Sequence, residues 1–178
     1  MDRGDNAFLN SVPEVVSTNQ YWYSAHTIKV LASEAVLQAR AVTGTVGSKV
    51  EGRIGCVSTP SIFFSLPLEV QQKHAVVFDF DQQFAEKTEN FVFYDFNHPV
   101  QMLDSNKDLQ HSFDVLVIDP PFITEEVWTK YAQTATALLK PGGKLICTTI
   151  SENAVMMKRL LNVEPVNFRP SIPNLVYQ

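Results

Sequence analysis

The sequence predicts a single α/β domain built on an open, mostly parallel β-sheet with helices on both faces. The chain has 178 residues, about the length of one domain. Five short runs rich in Val, Ile and Phe, most without strict polar alternation, are typical of strands covered on both faces. Helical or turn-like segments separate these runs, which indicates a parallel sheet with crossover connections. The runs are residues 53–58, 75–80, 90–94, 113–118 and 144–149.

Three segments precede the first predicted strand. Residues 1–18 are polar and mixed, without a clear period, and are predicted to form a flexible tail. Apolar residues recur at helical spacing over 23–40 and predict an amphipathic helix with Ser24 as its N-cap. Three glycines within residues 43–52 predict a loop. The remaining chain, residues 19–178, is expected to form the functional domain.

Three further helices are predicted between or after the strands. They cover residues 62–73, with a kink at Pro67, residues 125–139 and residues 152–161. Gly142 and Gly143 follow Pro141 and predict the stop of the second of these helices and the turn into the last strand.

The composition excludes several classes of function. The net charge of −5 counts against non-specific binding of nucleic acid, which requires Lys and Arg to neutralise phosphates. Two cysteines exclude a disulfide scaffold and the usual four-ligand zinc patterns, and the four histidines have no metal-ligand spacing. No apolar run is long enough for a membrane helix, and residues 1–10 do not resemble a signal peptide. These features predict a soluble cytoplasmic protein that needs no metal.

Ligands of open α/β sheets bind beyond the carboxyl ends of the strands, so the residues that follow each run are candidate site residues. No GxGxxG follows the first run, which argues against a nicotinamide-dependent dehydrogenase. The hydroxyls and backbone N–H groups found there instead suit a polar ligand group, although a simple helix cap is the favoured explanation when the segment is taken alone. These residues are Ser58, Thr59, Pro60 and Ser61.

Acidic residues follow the next two runs. Asp79 and Asp81 come about 20 residues after the first strand end, the spacing of an acid that accepts both ribose hydroxyls. Asp95 and Phe96 follow the third run, where the acid would bind the exocyclic amine of adenine and the ring would cover the base. Solvated turn residues are the alternative explanation in both places.

The fourth run ends in the most specific motif of the chain, Asp119-Pro120-Pro121-Phe122. Two prolines remove two backbone donors and fix φ near −65°, so they form a stiff turn. The Asp119 carboxylate and the backbone carbonyls form a cluster of acceptors that holds an amine by its hydrogens. Phe122 adds a flat apolar face for a base or a lysine head. A structural strand-terminating turn is the alternative.

These stretches resemble the class I S-adenosylmethionine-dependent methyltransferases, and DPPF resembles their amino-methylating branch. The chain is more closely similar to the eukaryotic elongation factor 1-alpha lysine methyltransferase family, formerly described as N6-adenine methyltransferases. Residues 20–24 (QYWYS) and 93–99 (FYDFNHP) point to that family. The other shared stretches are residues 53–61, 78–84 and 113–122.

The resemblance implies a Rossmann-like sheet of seven strands and S-adenosylmethionine as the cofactor. It implies that residues 58–61 line the methionine end, that Asp79 binds the ribose, and that Asp95 and Phe96 bind the adenine. Trp22, Tyr23 and Ser24 would close over the site. The glycine-rich loop usual in class I enzymes is absent at 58–61. The chain also stops at Gln178 where the family continues with another strand, so the sheet is expected to lack its final strand.

The proposed reaction is methyl transfer to a lysine ε-amine, with elongation factor 1-alpha as the expected protein partner. N6-adenine methylation of DNA or RNA is the first alternative, because both targets are amines. It would need a flipped base and a basic track for phosphates, whereas only Lys158 and Arg159 are adjacent. A non-catalytic subunit that keeps the fold is the second alternative, and the intact DPPF counts against it.

Overall fold

A computed structural model of the chain describes residues 5–42 and 52–175. The described residues form a sheet in the order β3-β2-β1-β4-β5, in which every neighbouring pair of strands is parallel. The predicted fold class is confirmed, with five strands in this part of the chain rather than the seven that the resemblance implied. The strands are β1 (Ile54–Val57), β2 (Ala75–Asp79), β3 (Phe91–Phe93), β4 (Phe113–Ile118) and β5 (Leu139–Cys147).

Helices cover both faces of the sheet because alternate residues of the central strands point to opposite sides. Ile54 and Cys56 of β1 pack in the cluster formed by the first four helices, whereas Val57 packs in the cluster formed by the last two. The helices of the described residues are α1 (Ala7–Ser11), α2 (Ala25–Val42), α3 (Pro60–Phe63), α4 (Leu68–Lys73), α5 (Glu125–Leu138) and α6 (Ala154–Leu161).

The strand order reverses between β1 and β4, which makes this pair the topological switch point of the sheet. Val57 at the end of β1 pairs with Ile118 of β4 and with Phe78 of β2. The three strands therefore end at nearly the same level, and the residues that follow them meet at one edge of the sheet, where open α/β folds bind ligands.

Two helix predictions gain detail from the structure. Ser24 is confirmed as the cap of α2, because its Oγ accepts a hydrogen bond from the N–H of Thr27 at 3.2 Å. The helix predicted over 62–73 is divided into α3 and α4, and Pro67 is the residue that precedes α4. A proline cannot donate to a carbonyl one turn back, so the chain breaks there rather than kinks.

The last strand differs most from its predicted bounds. Leu139 already pairs with Phe113 directly after α5, and the next paired residue, Lys144, is opposite Val115. The intervening Pro141–Gly143 segment is therefore an irregularity inside β5, with Gly142 in the left-handed region at φ 80°, rather than a turn that precedes the strand. The strand also ends at Cys147, so that Thr148 lies beyond it.

Residues 5–18 do not form the flexible tail that was predicted. Asn6 caps α1 by accepting from the N–H of Leu9 at 3.1 Å, and Phe8, Leu9 and Val12 are buried. The Phe8 ring lies 4.9 Å from that of Trp22 in an edge-to-face contact. Burial of these side chains offsets the entropy of ordering the segment. The loop predicted at 43–52 lies outside the described residues, apart from Gly52.

Residues near the end of the described chain return to the segment before α2, and we call this contact the clasp. The backbone N–H of Ser24 donates to the carbonyl of Ser171 at 2.8 Å, and the hydroxyl of Ser171 donates to that of Ser24 at 2.8 Å. Asn174 donates to the Glu14 carboxylate at 2.7 Å. Within the described residues, no helix combines the length and apolar character required to span a membrane.

Candidate active site

Asp119 directly follows β4, whose six residues are all buried, and it occupies the switch point. The Thr148 hydroxyl donates to Asp119 Oδ1 at 2.7 Å, and the Tyr23 hydroxyl lies 2.6 Å from Thr148 Oγ1. Three separate parts of the chain thus meet at one carboxylate: the segment before α2, the end of β4 and the end of β5.

Burial controls the ionisation of this group of side chains. Burial raises the pKa of Asp119 to about 6, and the nearby hydroxyls of Tyr23 and Thr148, which favour the charged carboxylate, limit the rise. Burial and, next, the charge of Asp119 raise the pKa of Tyr23 well above its usual value, so the phenol keeps its proton. At neutral pH the arrangement is a carboxylate that accepts from neutral hydroxyls, which is the state that can also accept from an amine.

The rest of the DPPF motif forms the rim of the site. Pro120 is buried, and the carbonyl of Pro121 accepts a hydrogen bond from the Asn19 side chain. Phe122 is half exposed, and Ile123 beside it is 41% exposed. The motif therefore places an apolar surface next to Asp119, which suits the aliphatic part of a long side chain or a flat base.

The segment after β1 is held by contacts within the protein. Ser58 adopts a left-handed backbone at φ 54°, and its hydroxyl pairs with that of Tyr131 at 2.7 Å. Thr59 is buried and donates to the carbonyl of Val117 at 3.3 Å. Pro60 begins α3 and Ser61 is buried within it. The segment lies at the predicted edge of the sheet, with its first two hydroxyls already engaged.

At the end of β2, the structure separates the two predicted acids by environment. Asp79 is 7% exposed, its Oδ1 accepts from the N–H of Asp81 at 2.9 Å, and burial raises its pKa to about 7. Asp81 instead caps the 3₁₀ turn Gln82–Glu86 through the N–H of Gln83 at 3.0 Å. Gln20 donates to Asp81 at 3.5 Å, while its own buried Oε1 has no partner within the described residues.

At the end of β3, Asp95 accepts from the N–H of Asn97 at 2.8 Å, in the same local turn that Asp79 makes. One face of the Phe96 ring stacks on Tyr131 with the centroids 6.0 Å apart. The Lys130 ammonium lies 5.4 Å from the Phe96 ring centroid. Phe96 therefore helps to build the wall between this strand end and Asp119.

Three residues were expected to close the site. In the described part of the chain, Tyr23 alone among them contacts Thr148, the residue that donates a hydrogen bond to Asp119. Trp22 is buried, and its indole N–H donates to the carbonyl of Val12 at 3.0 Å. Ser24 caps α2 and contacts Ser171. These two side chains support the segment that carries Tyr23.

Sequence reasoning did not single out Thr148, Tyr131 or Gln20. Thr148 was assigned to the interior of the last strand, and Tyr131 to the apolar face of a helix. Gln20 belongs to the QYWYS stretch, yet no role was given to it. An isolated threonine or tyrosine carries no motif, so nothing in the sequence marks Thr148 as a residue of the site.

Comparison with known proteins assigns the family. The sequence model of the family described as "Probable N6-adenine methyltransferase" matches residues 14–178. The chain belongs to this family. Membership makes it a methyltransferase, and the family implies S-adenosylmethionine as methyl donor. Both the predicted enzyme class and the predicted resemblance are thereby confirmed.

Named relatives from several eukaryotes cover most of this methyltransferase. It is 36% identical to EEF1A lysine methyltransferase 1 of Bos taurus over 170 residues, 94% of this chain and 69% of the relative. The Homo sapiens protein of the same name is 33% identical, with coverage of 93% and 72%. A protein-lysine N-methyltransferase of Caenorhabditis elegans is 31% identical, with coverage of 95% and 77%. No solved structure matches the chain.

Proposed function

We propose that this methyltransferase transfers a methyl group from S-adenosylmethionine to the ε-amine of a lysine in elongation factor 1-alpha. The observation that carries the proposal is the Asp119 carboxylate at the switch point, partly buried beside an apolar rim. The names of the relatives, which specify lysine and EEF1A, support the choice of substrate. Because the proposed substrate is a translation factor, we propose the cytoplasm as the location of the activity.

The residues at the end of β2 fit the methyl donor. Asp79 is a buried carboxyl with one oxygen engaged by a backbone N–H, and the nearby Oε1 of Gln20 is buried with no partner among the described residues. Buried acceptors of this kind require donors, and ribose hydroxyls supply them. We assign the ribose to Asp79, with Ser58–Ser61 at the methionine end and Asp95 at the adenine.

S-adenosylmethionine, when bound, supplies an electrophilic methyl group, so the main task of the protein is to position the amine. Asp119 accepts an N–H of the ε-amine and thereby aims the nitrogen lone pair, while Phe122 packs against the lysine stem. Free lysine has a pKa near 10.4, so the ammonium must first release a proton. The apolar rim favours the neutral amine, and the Asp119 charge opposes this effect.

Basic side chains near the site argue for a protein substrate rather than nucleic acid. A phosphate backbone is bound by Lys and Arg that are free to neutralise it. Here the basic residues of α5 and α6 are held in ion pairs with acids. The pairs are Lys130–Glu126 at 3.0 Å, Arg159–Glu125 at 2.5 Å and Lys158–Glu164 at 2.7 Å. Adenine methylation is therefore the second candidate, supported by the family description alone.

The test uses S-adenosylmethionine with a labelled methyl group. The chain is incubated with purified elongation factor 1-alpha, and in parallel with adenine-containing DNA and RNA. We expect label in the protein, at a lysine located by mass spectrometry. Label in the nucleic acid alone would overturn the proposal in favour of adenine.

Asp119→Asn provides the matched control for the site, since it removes the charge and keeps the shape. We expect its rate to fall at least 100-fold while the affinity for S-adenosylmethionine, measured by calorimetry, changes less than threefold. A rate near that of the unmodified chain would contradict the role of Asp119.

A further inference from the structure

We infer that Thr148 is a positioning residue for Asp119 and that it connects this carboxylate to Tyr23 in the segment before α2. Thr148 Oγ1 lies 2.7 Å from Asp119 Oδ1 and 2.6 Å from the Tyr23 hydroxyl. The inference deepens the proposed function, since it names a residue that prepares the amine acceptor without contact with the amine itself.

The hydroxyl protons of Tyr23 and Thr148 have one arrangement when Asp119 is ionised. A carboxylate only accepts, so the single hydroxyl proton of Thr148 is donated to Asp119. Thr148 Oγ1 must then accept from Tyr23, which keeps its proton because its pKa is raised. The order of donation is Tyr23 to Thr148 to Asp119. A hydrogen bond to a carboxylate is stronger than one between neutral groups, so it fixes the rotation of the Asp119 side chain.

Thr148 is itself held rigidly. It is 8% exposed, and its backbone N–H donates to the carbonyl of Ile118 at 3.1 Å, one residue before Asp119. Both members of the pair are thus fixed to adjacent strand ends. Tyr23 is 4% exposed, and Ser24 beside it caps α2. The three hydroxyl and carboxyl groups have little freedom apart from proton position, as a prepared site requires.

Two other titratable groups that face Asp119, Cys147 and Tyr131, are neutral in the pH range of an assay. Burial raises the pKa of Cys147 to about 12 and that of Tyr131 well above its usual value. Asp79, at the end of β2, acts on Tyr131 and has a pKa of about 7. A pH profile of activity therefore contains two carboxyls, so the test must follow Asp119 directly.

The test compares Thr148→Val, which removes the hydroxyl at nearly constant volume, with Thr148→Ser, which retains it. The carboxyl carbon of Asp119 is titrated by ¹³C NMR, and its signal is assigned by its loss in Asp119→Asn. We expect the titration midpoint to rise by at least half a pH unit in Thr148→Val and to return towards the original value in Thr148→Ser. An unchanged midpoint in Thr148→Val overturns the inference, and so does an equal rise in both variants, since that indicates packing alone.

Lysine methylation rates supply the second readout. We expect kcat to fall at least tenfold in Thr148→Val, with KM for the protein substrate changed less than threefold, and to recover in Thr148→Ser. If the unmodified chain methylates no lysine, the proposed function fails, whereas the NMR comparison still decides the role of Thr148.

A further variant is a control for loss of folding in Thr148→Val. Thr148→Val replaces the hydroxyl 2.6 Å from the buried Tyr23 hydroxyl by a methyl group, which lowers stability. The double variant Tyr23→Phe with Thr148→Val removes both polar groups and should unfold at a higher temperature than Thr148→Val alone. The Asp119 midpoint should remain raised in this double variant, and a midpoint at the original value would contradict the inference.

Discussion

Replacement of Asp79 by Asn should stabilise the fold at alkaline pH and weaken binding of the methyl donor. Asp79 is 7% exposed, and its pKa is raised from 3.8 to about 7. The folded chain therefore holds a proton that the unfolded chain releases between pH 4 and pH 7, so stability falls as pH rises through that range. Each pKa unit corresponds to about 1.36 kcal/mol, which makes the cost of the charge about 4 kcal/mol at pH 8 and about 2 kcal/mol at pH 5.

The assay is urea unfolding of both chains at pH 5 and pH 8 without ligand. Asn cannot ionise, so Asp79→Asn should gain about 2–3 kcal/mol more at pH 8 than at pH 5, and any pH-independent cost of the amide cancels in this difference. Asp95→Asn is the matched control, because Asp95 makes the same turn with the N–H two residues on but is half exposed. Equal gains at the two pH values would refute the argument, as would an equal effect in Asp95→Asn. Affinity for S-adenosylmethionine should fall at least tenfold in Asp79→Asn.

Three other predictions concern the site and its support. Since Asp119 must be ionised to accept an amine and its pKa is about 6, the fall of kcat/KM with decreasing pH should steepen by about a further tenfold per pH unit below that value, in addition to the fall caused by Asp79 and the lysine ammonium; the same profile in Asp119→Asn would contradict this role. Tyr131→Phe removes the 2.7 Å bond to Ser58 and should cost about 1 kcal/mol in urea unfolding, with weaker donor binding; an unchanged affinity would separate Ser58 from the donor site. Gly55→Ala should cost about 1–3 kcal/mol, because the new Cβ would lie 2.5 Å from Leu116 Cδ2; equal stability would show that the core yields there.

The buried strands could be predicted from the sequence because burial on both faces requires nearly continuous runs of apolar residues. β4 was predicted with the bounds that the structure shows, since all six of its residues lie in the core. The residues after β1, β2, β3 and β4 could then be placed at one sheet edge by topology alone. The position of Asp119 needed nothing further, because two prolines stop the strand directly after it.

The end of β5 could not be predicted in this way. Thr148 and Thr149 are β-branched, and such residues fit the interior of a strand as well as its end. The strand ends at Cys147, which pairs with Ile118, the last residue of β4, and this contact between distant parts of the chain puts the strand end two residues before the predicted one. The role of Thr148 was hidden by that shift.

The N-terminal segment was missed for a different reason. α1 has five residues, too few for a helical period to be visible, and its stability comes from packing. Phe8 is buried against Trp22 and Phe64, which lie 14 and 56 residues later in the chain. Composition alone gives no indication of such partners.

The clasp has a consequence for the time at which the enzyme becomes competent during its own synthesis. Ser24, next to Tyr23, is separated from Ser171 by 147 residues. At about 5–20 residues per second, a ribosome needs roughly 7 to 30 s to add the missing partner after residue 24 has been made. Asp119 and Thr148 are made 52 and 23 residues before Ser171. The nascent chain therefore carries all of the side chains of the proposed site for some seconds before the segment that holds Tyr23 is anchored.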